Sequence, residues 1–180
     1  MHRVRALDRG DFDALLALEG AVSGAGGDRA LGPYFVRLCC EFFRETCFVA
    51  TVDGEIVAYA LCFVQEREAY CTTLTVHPRH RRSEVLQKLL RRLVISLERR
   101  VDSCWFTVEQ SDQMARLLRE GLGAIDLGTR ADFYGPGDDR LVLRIDREAL
   151  SRQRLRYRAA GTPPQTPRVT TPQHGGLAPC

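Results

Sequence analysis

Hydrophobic residues along this chain change their spacing several times, and each change predicts a new element of secondary structure. Alternating apolar positions in residues 2–7 predict a first strand, and apolar residues at helical spacing after Asp8 predict a first helix. A second helix is expected from Pro33, because proline suits the first turn of a helix. Further strands are predicted at residues 47–52, 55–64, 69–76, 103–108, 125–134 and 140–145.

Three more helices follow from the pattern in the second half of the chain. Residues 84–100 carry an apolar stripe at helical spacing, which predicts a long amphipathic helix. The stripe consists of Val85, Leu89, Leu93 and Leu97. A shorter helix is expected to begin at residues 111–112 and to end near Gly121 and Gly123, where glycine favours a helix end. A last helix is expected from the capping residue Asp146 to Arg156.

The order of these elements predicts the fold class. Strands joined by the short turn Asp53-Gly54 should pair antiparallel, whereas the two strands on either side of the long helix should pair in parallel. We therefore expect an α/β fold of the α+β kind. Its sheet would be mixed and mainly antiparallel, with about seven strands and flanking helices.

Length and composition favour one globular domain followed by a tail. The chain has 180 residues, of which 44% are hydrophobic and 27% charged, enough for a substantial core. Residues 161–180 hold five of the eight prolines together with Thr, Gln and Gly, and they bury too little apolar surface to order themselves. We expect a domain at residues 1–159 and a disordered Pro-rich C-terminal tail at residues 160–180.

Composition also argues against several classes of function. The net charge is only +3, and no dense basic stripe with interleaved aromatic residues suggests nucleic acid. No apolar run approaches the roughly 18 residues that span a bilayer. The charged N-terminus does not resemble a signal peptide, so we expect a cytoplasmic protein. The seven cysteines form no CxxC pair, which argues against a metal site and favours buried free thiols.

Candidate chemistry lies between residues 74 and 90, where a strand, a basic turn containing Pro78 and a helix follow one another. Such an arrangement aims backbone N–H groups at an anion. The interval from Glu55 to Glu120 contains no glycine, so side chains surround those groups. Glu84 either adds a negative charge to the anion site or only stabilises the first helical turn. Neighbouring guanidinium groups could offset its charge; they belong to Arg79, Arg81 and Arg82.

One short motif, together with the order of elements, gives the chain a family resemblance. Val76 and Pro78 match a V-x-P pattern at the end of a strand. Arg81 matches the first position of an R-x-x-G-x-G/A loop. With these residues, the chain resembles the GNAT superfamily of acyl-CoA N-acyltransferases over about residues 3–146. The glycine-free loop makes it a divergent member of that superfamily.

The chain departs from the family pattern at specific positions. The two loop glycines are replaced by Glu84 and Leu86. A second family motif is N-x-x-A-x-x-L-Y followed by x-x-x-G-F, and Asp112 stands where its asparagine is usual. Arg119 occupies the place of the tyrosine that often protonates the departing thiolate. The remaining matches are Ala115, Leu118 and Gly123.

The resemblance implies acetyl-CoA, or another acyl-CoA, as the acyl donor. In this family the pantetheine arm pairs with the fourth strand, here residues 70–76, and the pyrophosphate lies at the start of the long helix. The donor carbonyl would be polarised by a backbone N–H near Leu74 or Val76. The implied donor-binding residues are Leu74, Thr75, Val76, Arg81, Arg82, Ser83, Glu84, Val85 and Asp112.

Acyl transfer to an amine also needs a base and an acid, and the chain offers candidates near strand ends. Glu66, Glu68 and Glu109 are candidate bases, although each is also typical of a solvated surface charge. Tyr134 is the candidate acid, with edge packing as its alternative role. Cys71 lies on the donor strand without a His or Asp partner nearby in sequence, which favours a core thiol over a nucleophile.

The expected function is therefore an N-acetyltransferase that moves an acetyl group from acetyl-CoA to a primary amine by direct attack in a ternary complex. The acceptor would be a small-molecule or protein amine, and the apolar last strands are compatible with a homodimer. Two alternatives stay open at this point. One is a catalytically degenerate GNAT-fold binding or regulatory protein, and the other is an acyltransferase that uses a longer acyl-CoA or a carrier-protein donor.

Overall fold

The computed structural model describes residues 2–23, 31–81, 84–109 and 113–159, which form one sheet flanked by helices. The strands are β1 (His2–Ala6), β2 (Phe48–Val52), β3 (Glu55–Gln65), β4 (Glu68–Val76), β5 (Ser103–Val108), β6 (Ile125–Arg130) and β7 (Arg140–Asp146). The helices are α1 (Phe12–Ser23), α2 (Pro33–Phe42), α3 (Val85–Leu97), α4 (Gln113–Arg116) and α5 (Arg147–Ala159). Within these residues, the strands pair in the order β1-β2-β3-β4-β5-β7-β6.

A change of strand direction between β4 and β5 organises the described sheet. These two strands pair in parallel, and the other neighbouring pairs are antiparallel. The chain crosses from β4 to β5 through α3, because parallel neighbours need a long connection and a helix supplies it. The predicted α/β fold with a mixed, mainly antiparallel sheet is confirmed.

One face of the sheet is covered by α3 and α5. The predicted apolar stripe on α3 is buried, with each of its side chains at most 1% exposed. The stripe packs against strand residues such as Ala60, Cys71 and Phe106. Removal of this apolar surface from water is the main force that holds α3 against the sheet, and it fixes where the N-terminus of α3 lies.

The opposite face is covered by α1 and α2 over part of the sheet. Their core takes its strand residues from β2 and β3, where Val49, Tyr59 and Leu61 are fully buried. Because side chains alternate along a strand, β5 turns Trp105 and Thr107 to this same face, where both are half-buried. The β5 side of the face therefore stays more open than the β2–β3 side.

Local signals place two element ends where the sequence predicts them. Asp53 and Gly54 have φ values of 51° and 93°, as a tight hairpin turn requires. The side chain of Asp146 accepts a hydrogen bond from the backbone N–H of Ala149 at 2.8 Å. This bond caps the start of α5, because it satisfies one of the N–H groups that lack a partner within the helix.

Two predicted elements end differently in the structure. The strand expected at residues 125–134 stops at Arg130, because the chain then enters a closed turn with Asp132 at a φ of 53°. The helix expected to reach Gly121 as a regular α-helix is a short α4 followed by a π-helical turn at Leu117–Gly121. Such turns are rare and occur frequently at functional sites.

The described residues answer some of the broader predictions and leave others untested. The six described cysteines are buried free thiols, as predicted. The loop after α1 and the tail at residues 160–180 lie outside the described residues, so the domain boundary stays a prediction. Across the described ranges, no helix has both the length and the hydropathy to cross a bilayer.

Candidate active site

A β-bulge in β4 separates this strand from β5. On the β3 side, Cys71 lies opposite Cys62. The next paired residue, Thr73, lies opposite Leu61, so Thr72 is an extra residue. Its hydroxyl donates a hydrogen bond to the carbonyl oxygen of Leu61 at 3.2 Å. A bulge bends its strand and increases its twist, and the pairing of β4 with β5 ends at the residue before the bulge. The two strands therefore leave a notch between them.

Residues 72–76 of β4, the open β4 segment, have no paired neighbour on the β5 side. On the β3 side, residues 73–76 are paired and only the extra residue Thr72 is not. Backbone N–H and C=O groups on an unpaired strand edge can bind an extended ligand, as they do when a peptide adds to a sheet. Leu74 and Thr75 are half-buried, and Val76 is 7% exposed. The structure thus places these three predicted donor-binding residues on one open backbone edge.

A short helical turn at Pro78–His80 connects the open β4 segment to α3. The backbone N–H of His77 donates to the carbonyl oxygen of Val57 at 2.8 Å. Nδ1 of His77 accepts a hydrogen bond from the backbone N–H of Arg79 at 3.2 Å. The turn is thereby anchored to β3, and it delivers the exposed Arg81 to the start of α3.

Glu84 precedes α3 with φ −68° and ψ −1°, a conformation open to any residue, so the backbone does not require glycine there. Its carboxylate lies 3.0 Å from Nζ of Lys88. Val85 is fully buried in the core. The positive end of the α3 dipole lies at the same edge of the sheet as the notch, because α3 begins shortly after β4 ends. Three predicted donor-binding residues lie outside the described ranges: Arg82, Ser83 and Asp112.

Three hydroxyl groups, the hydroxyl cluster, meet where β4 and β5 diverge. Tyr70 on β4 lies one residue before the last paired position, and Thr107 on β5 lies one residue after it. Tyr134 reaches them from the turn between β6 and β7. The Tyr70 oxygen lies 2.8 Å from Thr107 Oγ1 and 2.5 Å from the Tyr134 oxygen. Thr107 Oγ1 lies 2.7 Å from the Tyr134 oxygen, so each pair is within hydrogen-bond distance.

The hydroxyl cluster has a half-buried end at Tyr70 and an exposed end at Tyr134. Burial raises the pKa of the Tyr70 phenol. The hydrogen bond with Thr107 acts to lower this pKa, and the contact with Tyr134 acts to raise it further. Tyr70 therefore keeps its proton in neutral solution. Tyr134 is 45% exposed, so a molecule in solvent can reach the cluster from its side.

Sequence analysis identified Tyr134 but missed Tyr70 and Thr107. Tyr70 lies 37 residues from Thr107 and 64 residues from Tyr134 along the chain. No local spacing pattern links residues so far apart. The available signal was the register of the parallel strands, because residues just before and just after the last paired position must lie near each other.

The turn that carries Tyr134 is held by its own hydrogen bonds. The backbone N–H of Phe133 donates to the carbonyl oxygen of Asp138 at 2.9 Å, and Oδ1 of Asp132 accepts from the backbone N–H of Gly137 at 2.7 Å. A side chain on such a preorganised turn loses less freedom when a ligand binds.

Arg140 links two carboxylates beside the hydroxyl cluster, and its side chain is 14% exposed. Nε of Arg140 lies 2.5 Å from Oδ1 of Asp138, and Nη1 lies 3.8 Å from the Glu109 carboxylate. The same guanidinium lies 5.4 Å from the centre of the Tyr134 ring. The structure therefore brings the predicted base Glu109 and the predicted acid Tyr134 close to the same arginine.

The structure does not bring Glu68 to this site. Glu68 begins β4 at the turn from β3, and its carboxylate accepts a hydrogen bond from Oγ of Ser103 at 3.3 Å. It lies about 20 Å from Leu74, measured along an extended strand. Glu66 lies in the same turn. The notch opens at the carboxyl ends of β4 and β5, so these two carboxylates lie at the far end of the strand pair.

Arg119, at the position of the family's tyrosine, points to the sheet edge at β6. Its Nη2 donates a hydrogen bond to Oδ2 of Asp126 at 2.6 Å. The pKa of the Asp126 carboxyl is lowered, first by the backbone N–H of Gly128 and then by Arg119. The guanidinium is thus engaged with β6 rather than with the notch.

These features define what the site can do chemically. Within the described ranges, no group of three or more His, Cys, Asp or Glu side chains is placed to hold a metal ion. The notch offers a backbone edge for an extended ligand, the positive end of a helix dipole for an anion, and hydroxyl groups for proton transfer.

Comparisons with known proteins agree with this geometry. Residues 22–124 match the model of the acetyltransferase (GNAT) family. A curated relative, the [ribosomal protein bS18]-alanine N-acetyltransferase of Haemophilus ducreyi, is 29% identical over 85 residues. That match covers 47% of this chain and 59% of the relative, so the chain spans less than two thirds of the relative's length.

Solved structures show the same fold at low sequence identity. Diaminobutyrate acetyltransferase from Paenibacillus lautus, in complex with L-2,4-diaminobutyric acid and coenzyme A, has a TM-score of 0.68 at 20% identity, covering 81% of this chain and 95% of that one. The ribosomal-protein-S18-alanine N-acetyltransferase from Escherichia coli has a TM-score of 0.65 at 23% identity, covering 81% and 94%. The NatC complex bound to Gag peptide and CoA has a TM-score of 0.69 at 18% identity, covering 81% and 98%.

Proposed function

This chain belongs to the acetyltransferase (GNAT) family of N-acyltransferases, and from that premise we propose that it transfers an acetyl group from acetyl-CoA to a primary amine. The transfer is a direct attack of the amine within a ternary complex. The observation that carries the proposal is the notch between β4 and β5, where the open β4 segment has no strand partner on the β5 side.

The open β4 segment fits the extended arm of an acyl-CoA. Amide groups of that arm add to the unpaired edge at Leu74, Thr75 and Val76, as a further strand would. These residues do not pair with β5, so the ligand does not have to displace a neighbouring strand. A backbone N–H near Leu74 or Val76 polarises the thioester carbonyl.

The start of α3 fits the negatively charged end of the donor. The helix dipole favours an anion there, and the exposed Arg81 adds a positive charge. The Glu84 carboxylate opposes binding, although its contact with Lys88 offsets part of its charge. We assign donor binding to Arg81 and to the backbone N–H groups of Glu84 and Val85, and by sequence alone to Arg82, Ser83 and Asp112.

Chain residues supply the proton steps of the reaction. The neutral amine nitrogen forms a bond to the carbonyl carbon, the bond from that carbon to sulfur breaks, the nitrogen gives up one proton, and the thiolate receives one. Tyr134 is the proton donor that we assign, because a guanidinium does not give up its proton in proteins and Arg119 contacts Asp126 instead. Glu109 is the base that we assign to bring the acceptor to its neutral amine form before attack, because it lies at the open end of β5.

The acceptor is a small-molecule or protein amine. Names of the relatives give one example of each: L-2,4-diaminobutyric acid in one, and an alanine of a ribosomal protein in the other. Both classes present a free primary amine, and both are candidate acceptors for this chain. A cytoplasmic location and a homodimer stay predictions.

Calorimetric titration of the full chain with acetyl-CoA tests the proposal, with CoA and desulfo-CoA as reference ligands. We expect micromolar binding of acetyl-CoA and weaker binding to the Arg81→Ala variant. Arg99→Ala is the matched control, because Arg99 is exposed at the opposite end of α3. Absence of binding up to millimolar acetyl-CoA would overturn the proposal and favour a carrier-protein donor or a non-catalytic protein.

A further inference from the structure

The hydroxyl cluster is closed on itself. Its three oxygens lie 2.5, 2.7 and 2.8 Å apart, and either oxygen of each pair can be the donor. Three hydroxyl groups carry three protons, and the triangle has three sides. When each hydroxyl donates once and accepts once, all three protons lie inside the triangle and each oxygen keeps a free lone pair.

A closed triangle of hydroxyls selects what can bind to it from outside. With its protons used internally, it accepts a hydrogen bond but does not donate one. An amine N–H is such a donor, whereas a carboxylate or a carbonyl oxygen is not. The cluster therefore complements the amino group of an acceptor and not its acidic end.

Stability alone does not explain the third member of the cluster. Tyr70 and Thr107 already satisfy each other at 2.8 Å. Tyr134 is 45% exposed, so water could satisfy its hydroxyl equally well. Its turn nevertheless holds it against the other two, under the Arg140 guanidinium. The position of Tyr134 connects the buried hydroxyls to the open side of the notch.

We propose that Tyr70, Thr107 and Tyr134 together receive the acceptor amine and relay its proton, an inference that rests on the proposed N-acetyltransferase activity. The cluster lies at the divergence of β4 and β5, beside the edge to which we assign the donor. Thr107 and Tyr134 touch the amine, and Tyr70 is a positioning residue that closes the triangle from its buried side.

The relay balances without creating an ion inside the cluster. As the N–C bond forms and the C–S bond breaks, the nitrogen loses one proton to a free lone pair of the cluster. A different proton leaves another cluster oxygen for the sulfur. The cluster ends with the three protons that it had at the start, so Tyr70 never has to ionise. This relay deepens the assignment of Tyr134, which acts as an acid only because Tyr70 and Thr107 resupply its proton.

The test compares variants that each remove one hydroxyl: Tyr70→Phe, Thr107→Val and Tyr134→Phe, together with the double variant Tyr70→Phe/Tyr134→Phe. Two variants serve as controls. Thr107→Ser keeps a hydroxyl at the same place. Tyr157→Phe removes a tyrosine hydroxyl from α5, which covers the other face of the sheet. Acceptors are a peptide with a free N-terminal alanine and L-2,4-diaminobutyrate, and acetyl-CoA affinity is measured separately by calorimetry.

We expect each single variant to lower kcat by about 100-fold, within the range of acid–base effects, with acetyl-CoA affinity unchanged. The double variant should be no slower than the slower single variant, because one missing hydroxyl already opens the triangle. Tyr157→Phe, outside the site, should match the parent, and Thr107→Ser should recover most of the kcat that Thr107→Val loses, because it restores the hydroxyl. In mixtures of H₂O and D₂O, a plot of kcat against the fraction of D₂O should be curved for the parent, because several protons move together. The same plot should be linear for the variants.

The outcomes separate this inference from the proposed function. The relay would be overturned if the single variants kept kcat within about threefold of the parent. It would also be overturned if the fold-loss of kcat in the double variant equalled the product of two large single losses. Either result would leave the proposed acetyltransferase activity intact. A parent chain that binds no acetyl-CoA, or that binds it and acetylates neither amine, would overturn the proposed function and the relay with it.

Discussion

Arg5 and Asp11 form a two-point ion pair that ties β1 to the start of α1. The two guanidinium nitrogens lie 2.6 and 2.7 Å from the two carboxylate oxygens, and the same carboxylate accepts a hydrogen bond from the backbone N–H of Asp8 at 2.8 Å. Asp11 is 7% exposed. One carboxylate thus serves as both an ion-pair partner and a cap for the helical turn before α1.

Replacing Asp11 with asparagine should lower the free energy of unfolding by about 2 kcal/mol, the usual scale for a hydrogen bond to a charged group. The amide keeps the size of the side chain but cannot accept both guanidinium bonds. Urea unfolding followed by circular dichroism measures the difference. Asp13→Asn is the matched control, because Asp13 is exposed in the next turn. An equal loss in both variants would refute a specific role for the pair.

The same pair predicts how stability depends on pH. Burial acts to raise the pKa of Asp11, but hydrogen bonds from Arg5 and from the Asp8 backbone outweigh it and lower the pKa. The contribution is therefore complete above the unfolded-state pKa of about 3.9, and it is lost as pH falls through the lower folded-state value. Unfolding free energies measured between neutral pH and pH of about 3 should fall less steeply in Asp11→Asn than in the parent. Parallel curves would contradict this assignment.

Removing the negative charge before α3 should strengthen donor binding. Glu84→Gln is expected to tighten acetyl-CoA binding by about threefold, because a carboxylate near the helix N-terminus competes with an anionic ligand. Glu84→Gly should also tighten binding, with a small loss of melting temperature from the added backbone freedom. Calorimetry measures the affinity. A drop in affinity or activity for Glu84→Gln would instead assign this carboxylate to the site of another ligand.

The bulge at Thr72 should control whether the notch exists. Deletion of Thr72 removes the extra residue opposite β3, which lets β4 continue its pairing with β5, so acetyl-CoA binding should be lost while the circular dichroism spectrum is retained. Thr72→Val is the matched control. It removes only the hydroxyl bond to Leu61, and it should cost about 1 kcal/mol of stability with binding retained. Normal donor binding by a folded deletion variant would show that the bulge does not open the notch.

Arg119 should be dispensable for catalysis, although the family often has its catalytic tyrosine at this position. Arg119→Ala removes an exposed ion pair with Asp126, and such pairs contribute about 0–1 kcal/mol. We expect kcat to change by less than about twofold, with only a small fall in melting temperature. Asp126→Asn breaks the same pair from the other side and should behave alike. A large loss of kcat in folded Arg119→Ala would place this guanidinium in the reaction.

The sequence predicts the framework of the fold because its signals are local. The apolar stripe on α3 repeats within a few turns, and its buried side chains confirm it. The turn Asp53-Gly54 carries its conformational preference in two adjacent residues. The parallel step follows from the single long helix between two strands, since such strands cannot pair as a hairpin.

Features of the site are harder to predict because they depend on register. The pattern of alternation in β4 does not show that Thr72 is an extra residue, which only the facing residues of β3 reveal. Tyr70 and Thr107 acquire a role through the alignment of β4 with β5. The same dependence explains the outcome for the candidate bases. Glu68 and Glu109 both flank strands, but only Glu109 lies at the carboxyl end of its strand, where the notch opens.

The buried thiols make the two faces of the sheet separately observable in solution. Cys62, Cys71 and Cys104 lie in the core under α3, and burial raises the pKa of Cys71. Cys39 and Cys47 lie in the core under α1 and α2. A maleimide reagent attacks the thiolate and therefore modifies each group only while its layer is open. With Cys180 replaced by serine, mass-resolved labelling rates report how often each helical layer separates from the sheet, and no cysteine has to be introduced.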